Sequence, residues 1–353
     1  MILWLMLACS QPSETRTEPT TTRCDDSEAD TAFQALWADF DSRYAVFAER
    51  LDDGRWSELL DEGCASVDAH TTDDALFDAM LDLVRNLDDG HVNLIAADLG
   101  RAEDAWVSAY PHYRELYGLE LGVERHYLDA PLSWDAEDWF AWGRRGDIGY
   151  VSITSFDGLS RSGSEGADRE AAAAAMEAVL DDLGDTSGMI VDVRANEGGW
   201  DAVSLEVATW FAGSRTLAWT KQRRDGPAHD DFTPWMEVFV EEGGSEAYTG
   251  PVVLLTSGGT FSAAETFAMA MRVRDDVTLL GEPTSGHLSD LYDGKLENGW
   301  RYTLSGERYQ AADGAIYEGI GIPVDVHVDL HVDDLADGRD AMMDAALERL
   351  GGL

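Results

Sequence analysis

The chain has 353 residues, of which 69 are Asp or Glu and 25 are Lys or Arg, so its formal net charge is −44 at pH 7. A surface this acidic repels phosphate backbones, which excludes nucleic-acid binding, and it disfavours contact of the protein body with anionic membranes. A hydrophobic content of 44% and 12 Trp predict a folded core rather than a disordered chain.

The first residues are typical of an export signal. An apolar run from Ile2 to Ala8 is too short to span a bilayer and leads into Cys9, as in bacterial lipoprotein signals, although the usual basic residues are missing. Residues 11–22 are rich in Ser, Thr, Pro and Glu, which is typical of a tether. We therefore assign residues 1–29 to signal and tether, and expect a periplasmic or cell-envelope lipoprotein that is held at the membrane only through a lipid on Cys9.

Two further cysteines, Cys24 and Cys64, remain as a pair. In an oxidising compartment they are expected to form a disulfide between the first helices. Two buried free thiols are the alternative, which the sequence leaves open.

Residues 30–94 are predicted to form a small helical unit. Apolar side chains recur at steps of three and four residues from Phe33 to Tyr44, and a second helix is predicted from Thr72 to Leu87. Gly90 suits a helix C-terminus and places His91 at the edge of this unit. Taken alone, His91 is more typical of a surface or capping residue than of a catalytic one.

Residues 95–145 form an aromatic-rich connecting segment in which we expect short strands and turns. From residue 146 to 353 the pattern alternates between apolar β-branched runs and helix-forming runs, which predicts a largely parallel sheet covered by helices. The strands expected here are residues 148–153, 188–194, 252–255 and 277–281, with hairpin strands at 300–304 and 308–311. Helices are expected at 169–183, after Trp200, and at 336–350.

A serine lies at one predicted junction of strand and helix. The strand 252–255 is followed by a small polar turn, and Ser262 begins the next helix, where unpaired backbone N–H groups face outward. A serine in this place can attack a carbonyl, although helix capping is the simpler interpretation. The glycine turn of Gly198 and Gly199 follows another buried strand and, together with the amide of Ala263, would suit an oxyanion hole.

Five segments occur together in one order: Asp88–Val92 (DDGHV), Asp192–Gly199 (DVRANEGG), Thr260–Glu265 (TFSAAE), Gly281–Gly286 (GEPTSG) and Glu318–Asp325 (EGIGIPVD). On these motifs the chain, from about Phe33 to Val328, resembles the family of tail-specific (C-terminal processing) serine peptidases, the tricorn core peptidase and the repeats of interphotoreceptor retinoid-binding protein. The resemblance implies an α/β fold, with a crotonase-like ββα spiral as catalytic domain and a small N-terminal helical domain. The interval from His91 to Asp147 is too short for an ordinary PDZ domain, so none is expected.

The resemblance also implies site residues. Processing peptidases of this family pair the serine with a lysine, but His287 stands at that position and neither Lys221 nor Lys295 does. The tricorn-like branch uses a histidine and a distant glutamate, which His91 and Glu318 match, although Gly90 stands where tricorn has a serine.

The expected mechanism follows from this match. Ser262 is the nucleophile, His91 the general base and Glu318 the residue that orients or polarises it, directly or through an intervening group. His287 is the alternative base. Arg194 and Arg301 are candidates for binding a substrate carboxylate, and Arg194 has a structural role as its alternative.

The sequence therefore predicts an exported serine peptidase that cleaves peptides or unfolded protein segments, without a metal site or cofactor. A non-catalytic binder of an apolar ligand or peptide on the same fold is the alternative. A crotonase-type acyl-CoA enzyme is disfavoured, because export and the acidic surface do not suit a CoA substrate. The oligomeric state is left open.

Overall fold

The computed structural model describes Cys24, residues 26–108 and residues 110–351. The predicted signal and tether up to residue 23, with Cys9, lie outside the described residues. Among the helices that are described, none combines the length and the apolar character needed to cross a membrane.

The described α-helices are α1 (Glu28–Arg43), α2 (Phe47–Arg50), α3 (Asp53–Ser66), α4 (Asp73–Arg85), α5 (Leu119–Tyr127), α6 (Glu165–Leu183), α7 (Asp201–Thr209), α8 (Ala263–Met271), α9 (Val332–Ala336) and α10 (Ala341–Leu350). Short 3₁₀ turns lie at Tyr113–Leu116 and Gly244–Glu246.

The described strands are β1 (Asn93–Ala96), β2 (Arg101–Asp104), β3 (Ser133–Trp134), β4 (Phe140–Arg145), β5 (Ile148–Ile153), β6 (Gly188–Asp192), β7 (Thr216–Arg223), β8 (Met236–Val240), β9 (Val252–Thr256), β10 (Val277–Gly281), β11 (Leu291–Lys295), β12 (Arg301–Ser305), β13 (Glu307–Ala311) and β14 (Val326–His327).

The N-terminal unit is built on α1, α3 and α4, as the apolar spacing predicts. Thr72 caps α4 by accepting a hydrogen bond from the amide of Ala75. Cys24 and Cys64 are joined in a disulfide with Cα atoms 4.9 Å apart, so the chain before α1 is bonded to α3. Aromatic residues of α1 and α3 share one buried core with residues of β12, over 200 positions further along the chain.

A four-stranded sheet connects this unit to the rest of the molecule. Its strand order is β11-β12-β1-β2, and β1 pairs with β12 in antiparallel register, Asn93 opposite Thr303. The hydroxyl of Thr303 also donates to the carbonyl of His91 at 2.7 Å. The turn that carries His91 is therefore fixed by a late segment of the chain.

The main sheet has seven strands in the order β14-β10-β9-β6-β5-β4-β3. Pairing is parallel from β14 to β5 and antiparallel from β5 to β3, which confirms the predicted, largely parallel sheet. Helices α6, α7 and α8 pack on one face, and α5 and α10 pack on the other. Since β4 pairs with β5 over six residues, the expected domain boundary between residues 145 and 146 falls inside this sheet.

Two further expectations need correction. Strands β12 and β13 are not partners of one another: β12 pairs with β11 and β1, whereas β13 joins β7 and β8 in a separate three-stranded sheet. Helix α5, in the aromatic-rich segment, was not expected. Its buried face is only Leu119, Val123 and Tyr127, a stripe too short to stand out in the sequence.

Candidate active site

Ser262 lies in a strained turn between strand β9 and helix α8. Its backbone has φ 56° and ψ −122°, a conformation that costs a non-glycine residue on the order of 1–3 kcal/mol. Helix α8 begins at the next residue, Ala263. Ser262 is half-buried at this helix start, and the amide of Ala264 donates to the carbonyl of Phe261 at 3.1 Å.

The predicted glycine turn packs directly against the serine. A Cβ atom on Gly198 would lie 2.7 Å from Cβ of Ser262, and φ at Gly198 is 99°. The amide of Gly198 donates to Oδ1 of Asn196 at 2.8 Å, so it is occupied, contrary to the expectation that it serves the oxyanion hole. Among the described residues, the amides of Gly199 and Ala263 have no acceptor. These two amides remain as candidate donors for the predicted oxyanion hole.

His91 is buried beside the serine turn, with 4% of its surface exposed. Its ring lies 4.8 Å from the ring of Phe261, the residue that precedes Ser262. Neither ring nitrogen has a hydrogen-bond partner within the described part of the chain. Burial lowers the pKa of His91, partly against the charge of Asp89, so the ring is neutral at pH 7.

His287, the alternative base, belongs to the same cluster of rings. It stacks on Phe261 with ring centroids 5.0 Å apart, and its centroid is 6.4 Å from that of His91. Nδ1 lies 2.9 Å from Oγ of Ser285, and Nε2 has no partner among the described residues. Burial, followed by the charge of Arg50, lowers the pKa of His287 to about 3. Both histidines are therefore uncharged and able to accept a proton.

Glu265, one turn into α8, holds the serine turn against the loop of His287. Its carboxylate accepts hydrogen bonds from the amides of Gly286 and His287, each at 2.7 Å, and from the hydroxyl of Thr284 at 2.6 Å. The amide of Ser262 donates to the same carboxylate at 3.3 Å and to the carbonyl of His287 at 3.1 Å. Burial raises the pKa of Glu265 to about 7. We infer that Glu265 fixes the backbone around the nucleophile.

Glu318 is buried near this cluster, but it makes no hydrogen bond to a histidine ring. Oε1 accepts from Nη2 of Arg50 at 2.5 Å and from Nε at 3.0 Å, and Oε2 accepts from the amide of Leu288 at 2.9 Å. Burial raises the pKa of Glu318 above its usual range, and the charge of Arg50, its partner, acts in the opposite direction. The ionised form fits these contacts, because both oxygens accept from N–H donors.

The two arginines predicted to bind a substrate carboxylate do not line the site. Arg194 is fully buried and paired with Asp192 at 2.6 Å and Asp340 at 2.8 Å, so it has the structural role that was its alternative. Arg301 lies on β12 and pairs with Asp293 at 3.2 Å.

A cleft of about 270 Å³ opens beside the serine turn. Its described lining includes Asp104, Glu197 and Ser285, together with the rings of Trp106 and Phe261, and contains no Lys or Arg. The ring of Trp106 lies 4.6 Å from that of His287 and covers it. The cleft therefore offers a polar, acidic surface next to the nucleophile.

Sequence reasoning missed Arg50 and Asp89, and gave no role to Glu265. Asp89 is fully buried, and it accepts from the hydroxyls of Tyr44 at 2.8 Å and Ser305 at 2.6 Å and from the amide of His91 at 2.9 Å. Glu265 could have been found from its place in the TFSAAE motif, since an acidic residue at the third position of a helix often caps its N-terminus. Arg50 carries no local signal, because its partners lie 38 to 268 positions away.

The family model "Peptidase family S41" matches residues 147–328, just over half of the chain. The chain belongs to peptidase family S41. The matched S41 region contains the glycine turn, Ser262, His287 and Glu318, whereas His91 and Arg50 come from the N-terminal unit outside it. The family resemblance predicted from the five motifs is confirmed.

Relatives agree with this assignment to the S41 family. A carboxyl-terminal-processing protease of Synechocystis is 26% identical over 210 residues, which cover 58% of this chain and 44% of that one. The chain spans less than half the length of the curated relatives it matches.

Solved structures support the fold. The crystal structure of a candidate peptidase from Parabacteroides merdae has a TM-score of 0.77 at 26% identity and covers 92% of this chain and 97% of that one. The tricorn protease has a TM-score of 0.55 at 15% identity, covers 92% of this chain and 36% of that one, and so shows likeness of fold alone. The predicted mixed α/β fold of this family, with a helical N-terminal region, is thereby confirmed.

Proposed function

We propose that the protein is a serine peptidase that hydrolyses peptides or unfolded protein segments through an acyl-enzyme. The observation that carries the proposal is the strained turn at Ser262, which packs against the glycine turn and against His91 and His287, two buried histidines that each keep a ring nitrogen without a partner among the described residues. Membership of the S41 family supports the same reaction.

The proposed reaction uses these groups in order. Oγ of Ser262 attacks the peptide carbonyl carbon and gives its proton to His91, while the amides of Gly199 and Ala263 hold the oxyanion. The tetrahedral intermediate then breaks its C–N bond, and His91 returns the proton to the leaving amine. Water deprotonated by His91 attacks the ester, which releases the acid and restores Ser262.

The decisive test is hydrolysis of a peptide library by Ser262→Ala, His91→Ala and His287→Ala. We expect Ser262→Ala to lower kcat by at least about 10⁴-fold, and His91→Ala to lower it by at least about 100-fold. His287→Ala should have the smaller effect of the two histidine variants. No hydrolysis by the wild type would overturn the peptidase and favour the non-catalytic binder, whereas full hydrolysis by Ser262→Ala would show that Ser262 is not the nucleophile. Full activity of His91→Ala with an inactive His287→Ala would make His287 the base.

We also propose that the protein is exported and anchored by a lipid on Cys9. The apolar run before Cys9 and the tether after it support this, and the Cys24–Cys64 disulfide fits an oxidising compartment. In cells fed labelled palmitate, we expect label in the wild type and in Ser13→Ala but none in Cys9→Ser. Label that survives Cys9→Ser contradicts the anchor.

A further inference from the structure

Arg50, at the end of α2, lies where three segments of the site meet. Nη1 donates to the carbonyl of Asp88 at 2.7 Å, Nη2 donates to the carbonyl of Gly286 at 2.5 Å, and Nε and Nη2 both bind Glu318. Only 6% of the Arg50 side chain is exposed, and 2% of the Glu318 side chain. A buried guanidinium that directs four hydrogen bonds at fixed acceptors holds those acceptors in one geometry.

The pair of Arg50 and Glu318 holds the chain on both sides of His287. Arg50 binds the carbonyl of Gly286, which precedes this histidine, and Glu318 binds the amide of Leu288, which follows it. A second donor to the carbonyl of Gly286 is the amide of Gly319, the neighbour of Glu318, at 2.8 Å. The backbone of His287 therefore cannot shift without breaking its neighbours' hydrogen bonds to this buried ion pair.

The same guanidinium reaches the turn of the other histidine. Asp88, whose carbonyl accepts from Nη1, lies three residues before His91 and has φ 48°. A positive φ is uncommon outside glycine, although Asp adopts it more readily than most residues, and a hydrogen bond from outside gives such a turn added support. The bond from Arg50 supplies it and ties the N-terminal unit to the S41 region.

We propose that Arg50 is a positioning residue, which together with Glu318 clamps the segments 88–91 and 285–288 around Ser262. The proposal rests on the proposed peptidase function. It assigns Glu318 a role through Arg50 instead of direct contact with a histidine ring.

The charge of Arg50 acts on both rings as well as on the backbone. Around His287, burial and the charges of Arg50 and His91 lower its pKa, and Asp89 acts against them. Around His91, burial and Arg50 lower the pKa, and Asp89 and Asp290 raise it. Loss of the Arg50 cation should therefore raise the pKa of His91 and of His287. The base is then protonated at a higher pH, so that activity starts to fall at a higher pH when the solution is acidified.

The test compares Arg50→Gln and Arg50→Lys with Arg55→Gln, which removes an exposed arginine that pairs with Glu62 on the surface of α3. For Arg50→Gln we expect kcat to fall by about 100-fold, KM to change by less than about threefold, and the acidic limb of the pH profile to move to higher pH. Arg50→Lys keeps the charge, so the limb should stay in place and kcat should recover in part. Arg55→Gln should match the wild type.

Two outcomes of the kinetics overturn the clamp. One is that Arg50→Gln has the same kcat and the same acidic limb of the pH profile as the wild type. The other is a fall in kcat in step with the melting temperature, with an unmoved limb and no recovery in Arg50→Lys, which is the result of a merely structural role.

Hydrogen exchange separates this result from a failure of the peptidase itself. In Arg50→Gln we expect the amides of segment 285–288, that of Leu288 above all, to exchange faster than in Arg55→Gln. This readout needs no hydrolysis, so it judges the clamp even where the wild type hydrolyses no peptide. Unchanged protection of the segment in Arg50→Gln overturns the clamp.

Discussion

The missing side chain of Gly198 leaves the space into which the serine turn packs. A Cβ atom there would lie 2.7 Å from Cβ of Ser262, 2.8 Å from the carbonyl oxygen of Phe261 and 2.9 Å from the amide nitrogen of Ala263. Two of these contacts are with backbone, which cannot turn aside as a flexible side chain can. Any residue larger than glycine must therefore move the nucleophile or the predicted oxyanion donor of Ala263.

Gly198→Ala should consequently abolish activity more than it affects folding. We expect kcat/KM to fall by at least about 100-fold, and the free energy of unfolding to fall by about 1–3 kcal/mol because φ is 99°. Gly314→Ala is the matched control, since Gly314 has φ 88° but nothing within 4 Å of the added Cβ. It should lose about 1 kcal/mol and keep full hydrolysis. Equal kcat/KM values for the two variants contradict this account of Gly198.

The two histidines show the limit of residue patterns. His91 was placed at the edge of the helical unit and His287 at the family's lysine position, and both indeed lie in one ring cluster with Phe261. Their partners were not predictable. The spacing of residues along the chain does not reveal that Ser285 lies within hydrogen-bond distance of the His287 ring. Nor does it reveal that Glu318 pairs with Arg50 instead of with the ring of His91.

At the scale of elements, local sequence patterns predicted the strands and helices whose formation depends on their own residues. The apolar β-branched runs of β5, β6, β9 and β10 are buried on both faces and are easily identified, and so is α4 with its Thr72 cap. Helix α6 was expected from residue 169 and begins one turn earlier, at Glu165, because Ser164 and the acidic residues after it favour a helix start.

Long-range pairing was not predictable in the same way. Strand β12 was expected to pair with β13, but its partners are β11 and β1, and β1 lies more than 200 positions earlier. This outcome depends on which apolar faces meet in three dimensions, and no periodicity of a single segment encodes that choice. The pairing of β4 with β5 is local by contrast, because a short turn joins the two strands.

The charge of the whole molecule bears on its choice of substrate. With 69 acidic and 25 basic residues, the protein surrounds its cleft with a negative potential, and Asp104 and Glu197 add to it in the described lining. Such a field raises the local concentration of cationic ligands and speeds their association. It acts in the opposite direction on acidic peptides.

We therefore expect the protein to prefer basic peptides over acidic ones of the same length. For matched peptides that carry Lys or Glu beside the scissile bond, kcat/KM should differ by at least about tenfold at low ionic strength. The difference should shrink at about 0.1 M salt and above, where charges further than about 10 Å apart are screened. Asp104→Asn should reduce the preference more than Glu177→Gln, which removes the same charge from the exposed face of α6. Equal kcat/KM values for both peptides at every salt concentration contradict electrostatic selection. If Asp104→Asn and Glu177→Gln reduce the preference equally, the preference comes from the overall charge of the protein and not from the cleft.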